Sequence, residues 1–156
     1  MKIEDRPGAC AIVYSIKDDK VLMGRRSDTK KWSFAGGKAE PEDKDLLYTA
    51  ARELEEEFGI AHRKFIFHDL GSAVVPGYKR IKHEGYPDTF EETLYNTQIF
   101  IFLFHDISEA EEIMVYKTDG EMSELKWVKI DDIFTLDELM LSTVSVSNIL
   151  KYYLGR

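Results

Sequence analysis

The sequence predicts an α/β fold, in which helices pack on a central sheet. Short apolar runs typical of strands recur along the chain, and the longest of them, IFIFLF at 99–104, is apolar enough for the centre of a sheet. Between two such runs, Leu47, Ala51, Leu54 and Phe58 recur at steps of four, three and four residues, the spacing of one face of a helix. The 156 residues contain no repeat or convincing linker, so we expect one domain spanning the whole chain.

The predicted elements begin with a β-hairpin. The runs ACAIVY at 9–14 and VLMGRR at 21–26 predict two strands, because a short polar turn separates them. The next segment, WSFAGGKAEPED at 32–43, is predicted to be a loop because it contains two glycines and a proline. Asp43 or Asp45 is expected to cap the helix that follows.

The second half of the chain predicts more strands and a helical tail. Gly59 is expected to end the first helix. The further strands are predicted at 65–75, 95–105 and 125–130. The polar segment 77–94 between two of them is predicted to be a long connection, and connections of this length are often functional. The tail at 131–154 is predicted to form one or two helices on the sheet.

Composition excludes several classes of protein. The formal net charge of -8 disfavours a broad basic surface for nucleic acid or anionic membranes. The longest apolar run is too short to span a membrane, and MKIEDRPGAC lacks the apolar stretch of a secretory signal. The lone Cys10 cannot form an internal disulfide, so we expect a cytoplasmic protein in which this residue is a small buried hydrophobe. The histidines lack the spacing of a zinc site, and they are His62, His68, His83 and His105.

Residues 51–60, ARELEEEFGI, place four glutamates on the predicted helix. Helical geometry puts Glu53, Glu56 and Glu57 on one arc of roughly 100° away from the apolar face, and Glu55 outside it. Carboxylates three and four residues apart repel one another, and the helix dipole near the carboxyl end adds to the repulsion. Two explanations stay open at this point: a solvated acidic face, or a hard cation such as Mg²⁺ bound by oxygen ligands.

The string from Arg52 to Ile60 fits the pattern Arg, Glu, aliphatic, any, Glu, Glu, any, Gly, aliphatic, which closes the Nudix box, and the chain resembles a Nudix hydrolase. The resemblance covers about residues 8–135, from VLMGRRSDTKKWSFAGGKAEPED to GEMSELKWVKIDDI. It implies a Nudix-type α/β/α sandwich with a central mixed sheet. It also implies an enzyme that hydrolyses a nucleoside diphosphate linked to another group.

The resemblance further implies the metal and the catalytic residues. The cofactor would be Mg²⁺ or Mn²⁺, and its ligands would be the carboxylates of Glu53, Glu56 and Glu57 with the backbone carbonyl of Gly37. Such ions neutralise phosphate oxygens and lower the pKa of a bound water, whose proton a carboxylate then accepts. This general base is either a glutamate of the box or Glu121 on a later segment, with Glu124 as the second choice there.

Several residues are candidates for contact with the substrate. Arg26 matches a position that contacts substrate phosphate in the family, and Arg25 is its neighbour on the opposite strand face. The candidates in the predicted connection are Lys79 and Arg80, for phosphate contact. Aromatic residues that are expected either to stack on a base or to pack in the core or rim are Phe34, Tyr78 and Tyr86.

The sequence departs from the family pattern at one point. Asp43 stands where the pattern has its first Glu, and one extra residue precedes Arg52. In the family that first acid braces the loop against the arginine, so this departure raises the hypothesis of a module that binds nucleotide without cleaving it. A third hypothesis is an acidic interaction domain without metal. The oligomeric state is left open between a monomer and a homodimer.

Substrate cues in the sequence conflict. Pro76 and Tyr78 follow Ile60 by sixteen and eighteen residues, and the family associates such a Pro with ADP-ribose and such a Tyr with dinucleoside polyphosphates. The short form of the chain favours a nucleoside triphosphate or similar small nucleotide. ADP-ribose, nucleotide sugars and dinucleoside polyphosphates are the alternatives.

Overall fold

The computed structural model describes residues 2–61, 66–115 and 120–156. The described strands are β1 (Lys2–Ile3), β2 (Gly8–Ser15), β3 (Lys20–Arg26), β4 (Trp32–Ser33), β5 (Ala35–Lys38), β6 (Ile66–His83), β7 (Tyr86–Phe104) and β8 (Met122–Lys129). The described helices are α1 (Leu46–Phe58), α2 (Ile107–Glu112), a 3₁₀ helix (Ile130–Thr135) and α3 (Leu141–Tyr153). None of these helices is long and apolar enough to cross a membrane.

The strands form one mixed sheet with helices on both faces. Its main order is β1-β7-β2-β3-β4, while β5 pairs with β2, β6 with β7 and β8 with β3. β2 and β7 are parallel neighbours, and β2 and β3 form the predicted antiparallel hairpin. The strand at 99–104 lies inside β7 and is central as predicted, because β7 has partners on both edges. The predicted α/β/α sandwich with a central mixed sheet is confirmed.

β2 shows why the sheet needs helices on both faces. Its successive side chains point to opposite sides, and both sides are buried. Ala11 and Val13 pack in a core cluster with Leu54 and Phe58 of α1. The alternate residues of β2, Cys10 among them, pack in a second cluster with α3. Cys10 is 8% exposed, which confirms this residue as a buried hydrophobe, and burial raises the pKa of its thiol to about 12.

The prediction for α1 is confirmed at both ends. Asp45, the second of the two candidate caps, accepts a hydrogen bond from Tyr48 N at 2.7 Å. Gly59 ends the helix with φ 71° and donates its N–H to the Glu55 carbonyl oxygen at 3.0 Å. The other candidate cap, Asp43, lies before the helix and has a different role, described below.

The prediction of a loop at 77–94 is wrong. β6 and β7 continue through this segment as a hairpin arm, paired from Gly77↔Thr93 to His83↔Tyr86. The arm is mostly exposed on both faces, so its sequence needs no apolar alternation and its strands carry no clear signal. We call residues 76–94 the arm from here on.

Smaller differences between the predicted and the observed elements also occur where the sequence has little periodic signal. The predicted loop at 32–43 contains β4 and β5, which are only 2 and 4 residues long. The predicted tail helices are a 3₁₀ helix and α3, and residues 136–140 between them lie outside both. Six-residue α2 was not predicted, because it is too short for periodicity to reveal it. Phe65, in a predicted strand, and His62 lie outside the described residues.

Candidate active site

A cavity of about 800 Å³ lies where α1, the arm, β5 and the first turn of α3 meet. Most of the candidate site residues predicted from the sequence line this cavity. These are Arg26, Phe34, Gly37, Glu53, Glu57, Tyr78, Arg80 and Glu121. The nominated residues that do not line it are Arg25, Glu56, Lys79, Tyr86 and Glu124. The cavity is therefore the candidate active site.

Glu57 is the most buried of the carboxylate residues that the structure describes, with 6% of its surface exposed. Its Oε1 accepts a hydrogen bond from Gly36 N at 2.7 Å, and its Oε2 is 3.3 Å from Arg26 Nη1. Burial raises the pKa of Glu57 well above its usual range, although the Gly36 amide and the arginine act in the opposite direction. A second cation would stabilise the charged form of this carboxylate.

Glu53 lies one helical turn earlier and also lines the cavity. Desolvation raises its pKa to about 7, against the opposing effect of Arg52, whose Nη1 is 3.0 Å from Glu53 Oε1. Gly37 lies directly beside it: a Cβ at Gly37 would be 2.5 Å from Glu53 Oε1. Only glycine therefore permits the carboxylate to approach the loop backbone this closely.

Glu56 lies outside the cavity and has 53% of its side chain exposed. Both of its carboxylate oxygens are 3.3 Å from Arg52 Nη1, the atom that also contacts Glu53. Arg52 thus supplies the positive charge that the acidic face requires. Among the described residues, no three His, Cys, Asp or Glu side chains are arranged to hold a metal ion.

The chemistry of these donors nevertheless fits a hard divalent cation. Glu53 and Glu57 are two carboxylates whose ionised forms are disfavoured by burial, and the backbone of Gly37 lies against the carboxylate of Glu53. Oxygen ligands of this kind, in small number, are those that Mg²⁺ uses in proteins. Glu56 adjoins them through its shared contact with Arg52.

Asp43 braces the loop before α1 in spite of its departure from the family pattern. Its carboxylate accepts two hydrogen bonds from Arg52, at 3.1 Å from Nε and 2.9 Å from Nη2. It also accepts hydrogen bonds from Glu40 N and Thr49 Oγ1. The turn that joins Glu40 to Asp43 directs the shorter side chain at the arginine. The brace is thus intact, and the hypothesis of a non-cleaving module loses its only support.

This brace predicts a pH-dependent stability. The Arg52 guanidinium lowers the pKa of Asp43 to about 2, below its value in an unfolded chain. A lowered folded pKa means that the stabilisation is present above the unfolded pKa and is lost as the pH falls towards 2. We expect Asp43→Asn to lower the thermal midpoint at pH 7, and the difference from wild type to shrink below about pH 4.

Thermal denaturation of both proteins between pH 7 and pH 3 measures this difference. Glu42→Gln is the control, because Glu42 is an exposed acid one residue away. An Asp43→Asn deficit that is as large at pH 3 as at pH 7 would contradict the role given to the ion pair.

Two arginines converge on one carboxylate at the side of the cavity. Arg26 contacts Asp28 through Nε at 3.1 Å and Nη2 at 3.3 Å, and Arg80 of the arm contacts Asp28 Oδ2 through Nη2 at 2.7 Å. Arg80 also lies over the ring of Phe90, 5.9 Å from its centroid. This ion-pair network ties the arm to the turn after β3 and holds two guanidinium groups close together.

Strand alternation sorts the candidates of the arm. Tyr78 and Arg80 are two residues apart on β6 and both line the cavity. Lys79 points the other way and pairs with Glu4 at 3.0 Å. Tyr86 is 77% exposed near the tip of the arm. These residues are neighbours in sequence, but the strand places their side chains in different surroundings.

Two further candidate residues, one on β3 and one on β8, lie outside the cavity. Arg25 points away from it, and its Nε donates to the Lys30 carbonyl oxygen at 2.9 Å. Glu124 is paired in register with Arg25. Glu121, in contrast, is held beside the cavity because Ser27 N donates to its backbone oxygen at 2.8 Å. Of the two later glutamates, the structure brings only Glu121 to the cavity.

Several lining residues were missed by sequence reasoning. Asp28, Phe90 and Tyr95 have no motif of their own. The pairing Arg80↔Phe90 would have placed Phe90 beside a nominated residue, had the arm been predicted as a hairpin. The first turn of α3, from Met140 to Thr143, reaches the cavity through contacts that are distant in sequence.

Residues 4–145 match the NUDIX domain model. The mitochondrial coenzyme A diphosphatase NUDT8 of Mus musculus is 40% identical over 53 residues, 34% of this chain and 24% of that protein. The uncharacterized Nudix hydrolase NudL of Photorhabdus laumondii is 49% identical over 49 residues, 28% of this chain and 26% of that protein. The matches therefore span about a quarter of the length of these curated relatives.

Solved structures share the fold. The NUDIX domain of Shewanella oneidensis NrtR, complexed with ADP ribose, has a TM-score of 0.62 and 18% identity, covering 99% of this chain and 89% of that one. The E. coli dihydroneopterin triphosphate pyrophosphohydrolase has a TM-score of 0.66 and 16% identity, covering 99% of each chain. Identities this low show the fold alone. Because the NUDIX domain model matches residues 4–145, which are most of this chain, the chain belongs to the NUDIX domain family.

Proposed function

We propose that this protein is a metal-dependent pyrophosphohydrolase that cleaves a nucleoside diphosphate linked to another group. One observation carries the proposal: the half-buried carboxylate of Glu53, which lies beside Gly37, and the buried carboxylate of Glu57 line the same cavity as Arg26 and Arg80. A site that joins acidic ligands for a cation to guanidinium groups for phosphate suits a polyanionic substrate.

Glu53 and Glu57 would hold the cation with the Gly37 carbonyl, and Glu56 would join them when it leaves Arg52. When bound there, Mg²⁺ or Mn²⁺ would neutralise phosphate oxygens and lower the pKa of a bound water. Arg26 keeps Glu57 oriented through its contact at 3.3 Å. Asp43 and Arg52 keep the loop that carries Gly37 close to α1, since Arg52 Nη2 also donates to the Lys38 carbonyl oxygen at 3.2 Å.

The reaction transfers a phosphoryl group to water. A water oxygen forms a bond to one phosphorus, the bridging P–O bond breaks, and the bridging oxygen leaves with the departing phosphate. The proton of the water passes to a carboxylate. We assign this role to Glu121, because its side chain has no hydrogen-bond partner among the described residues, whereas Glu53 and Glu57 are engaged.

Glu121→Gln is accordingly expected to lower kcat by a factor on the order of 10² to 10⁴, the usual contribution of a general base, with little change in KM. Steady-state kinetics with the best substrate measure both constants. Glu124→Gln is the matched control, since Glu124 is a glutamate three residues further along the chain, in β8 and outside the cavity. Equal losses in the two variants would remove Glu121 from this role.

The proposed substrate is a nucleoside triphosphate or a similar small nucleotide. Phe34 and Tyr78 line the cavity and offer ring surfaces for a base. ADP-ribose, nucleotide sugars and dinucleoside polyphosphates are the alternatives, and coenzyme A joins them because the mouse relative is named a coenzyme A diphosphatase. The cytoplasmic location and a homodimer stay predictions.

The experiment is a substrate screen with and without divalent metal. Purified protein is incubated with each class of substrate in Mg²⁺, in Mn²⁺ and in excess EDTA, and the nucleotide and phosphate products are separated and quantified by chromatography. We expect hydrolysis of at least one class with metal and none with EDTA. Hydrolysis that persists in EDTA, or none in any class, would contradict the proposal.

A further inference from the structure

The first turn of α3 opens into the cavity, away from the carboxylates of α1. No side chain caps this 13-residue helix at its amino end. Thr143 N and Val144 N both donate to the Met140 carbonyl oxygen. Within residues 2–61, 66–115 and 120–156, the amides of Leu141 and Ser142 have no hydrogen-bond partner. Free amides at a helix start favour an acceptor or an anion.

Thr143 gives an independent sign of a ligand at this place. It lines the cavity, and only 3% of its surface is exposed. Its hydroxyl has no hydrogen-bond partner in the part of the chain that the structure describes. Ser147 Oγ is completely enclosed, whereas Thr143 Oγ1 is not. The hydroxyl therefore retains contact with the cavity. A buried hydroxyl that faces only a cavity is satisfied when a ligand or water supplies its partner.

β4 adds a second such hydroxyl, and the residue before it adds a positive charge. Ser33 lines the cavity, is 5% exposed and also lacks a hydroxyl partner among the described residues. Lys31, which lines the cavity as well, forms no ion pair within the described ranges. The backbone of Trp32 joins them to α3, because Trp32 N donates to the Glu138 oxygen and Met140 N donates to the Trp32 oxygen, both at 3.0 Å.

These donors differ in kind from the carboxylates of α1. Unengaged amides, two buried hydroxyls and an ammonium group all offer hydrogen atoms, so they select a hydrogen-bond acceptor. A group that only donates hydrogen bonds, such as an amino group, would leave them unsatisfied, and such mismatches discriminate strongly between substrates.

We infer that the first turn of α3, with Thr143, Ser33 and Lys31, forms a second subsite of the cavity. It binds a hydrogen-bond-accepting group, either a phosphate monoester or a base carbonyl, on the part of the substrate remote from the cleaved pyrophosphate. The inference rests on the proposed function, and it deepens that proposal by making substrate choice depend on this acceptor.

Two matched pairs of compounds test it. NADP⁺ differs from NAD⁺ by one phosphate monoester, and ITP differs from ATP by a base carbonyl in place of an amino group. Dissociation constants are measured by calorimetry with Ca²⁺ in place of Mg²⁺, for wild type, Thr143→Val, Thr143→Ser and Ser145→Ala. Ser145 is the control, as a hydroxyl of the same helix that does not line the cavity.

We expect wild type to bind the acceptor-bearing member of one pair about 10-fold more tightly, the size of one hydrogen bond to a charged or buried partner. Thr143→Val should remove this preference, whereas Thr143→Ser and Ser145→Ala should retain it. The pair of compounds between which wild type discriminates identifies the acceptor. If the acceptor is the phosphate monoester, Lys31→Gln should also lower the preference of the protein for it.

Equal binding within both pairs by wild type, or a preference that Thr143→Val leaves unchanged, would overturn the inference. These ratios do not depend on turnover. Failure of the proposed function would appear instead as absence of metal-dependent hydrolysis, so the two failures are distinguishable.

Discussion

Glu57→Gln is expected to lower kcat/KM for nucleotide hydrolysis by on the order of 10²-fold or more, since even the outer partners of metal ligands are worth 10- to 100-fold. Glutamine keeps the size of the side chain and still accepts the hydrogen bond from Gly36 N. It removes the negative charge that we propose faces the cation and that contacts Arg26. Steady-state kinetics in saturating Mg²⁺ measure the loss.

The same substitution should leave the fold stable. Burial already raises the pKa of Glu57 well above its usual range, so a neutral amide is tolerated at least as well as the carboxylate without a cation. Glu55→Gln is the matched control, because Glu55 is an exposed glutamate of the same helix, outside the arc of the other three. Unchanged kcat/KM in Glu57→Gln, or a loss explained by unfolding, would contradict the assignment.

Gly59→Ala is expected to lower the thermal midpoint by about 10 °C or more, taking ~2–4 °C per kcal/mol for a chain of this size. Two costs add. The residue has φ 71°, and the left-handed conformation costs an alanine about 1–2 kcal/mol. A Cβ there would also be 1.9 Å from the Val115 carbonyl oxygen, so the backbone that crosses the end of α1 must move.

Gly155→Ala separates these two costs. Gly155 has nearly the same conformation, with φ 77°, but a Cβ there meets nothing within 4 Å. We therefore expect only the conformational cost at Gly155, and thermal denaturation of the two variants gives the difference. Equal shifts would show that the contact with Val115 has no energetic consequence. The contact is relevant to function because Val115 N donates to the Gly59 oxygen at 2.8 Å, which fixes the end of the helix that carries the glutamates.

The parts of the fold that sequence predicted are those with a strong periodic signal. Leu47, Ala51, Leu54 and Phe58 gave the helix and its buried face, and Gly59 gave its end. The arm escaped prediction because it buries little, so nothing in its sequence distinguishes a strand from a loop. As a result, Lys79 and Arg80 were both predicted to contact phosphate, whereas in the strand only Arg80 lines the cavity.

The candidate site likewise contains residues that local sequence patterns predict and residues that they do not. Helical geometry selected the glutamates of α1, because their spacing is local. Asp43 shows the limit of pattern matching, since a shorter acid and an extra residue still produce a bidentate contact with Arg52. The Asp28 network and the first turn of α3 depend on contacts between residues far apart in the chain, which one sequence does not reveal.

The central claim is that the glutamates of α1 hold a divalent cation, and Mn²⁺ binding tests it most directly. Titration with Mn²⁺, with free ion followed by electron paramagnetic resonance, is compared among wild type, Glu53→Gln, Glu57→Gln and Glu55→Gln. The account predicts that the first two substitutions weaken binding by at least about 10-fold and that Glu55→Gln matches wild type. Equal Mn²⁺ affinity in all four proteins, or no binding by wild type, would contradict it.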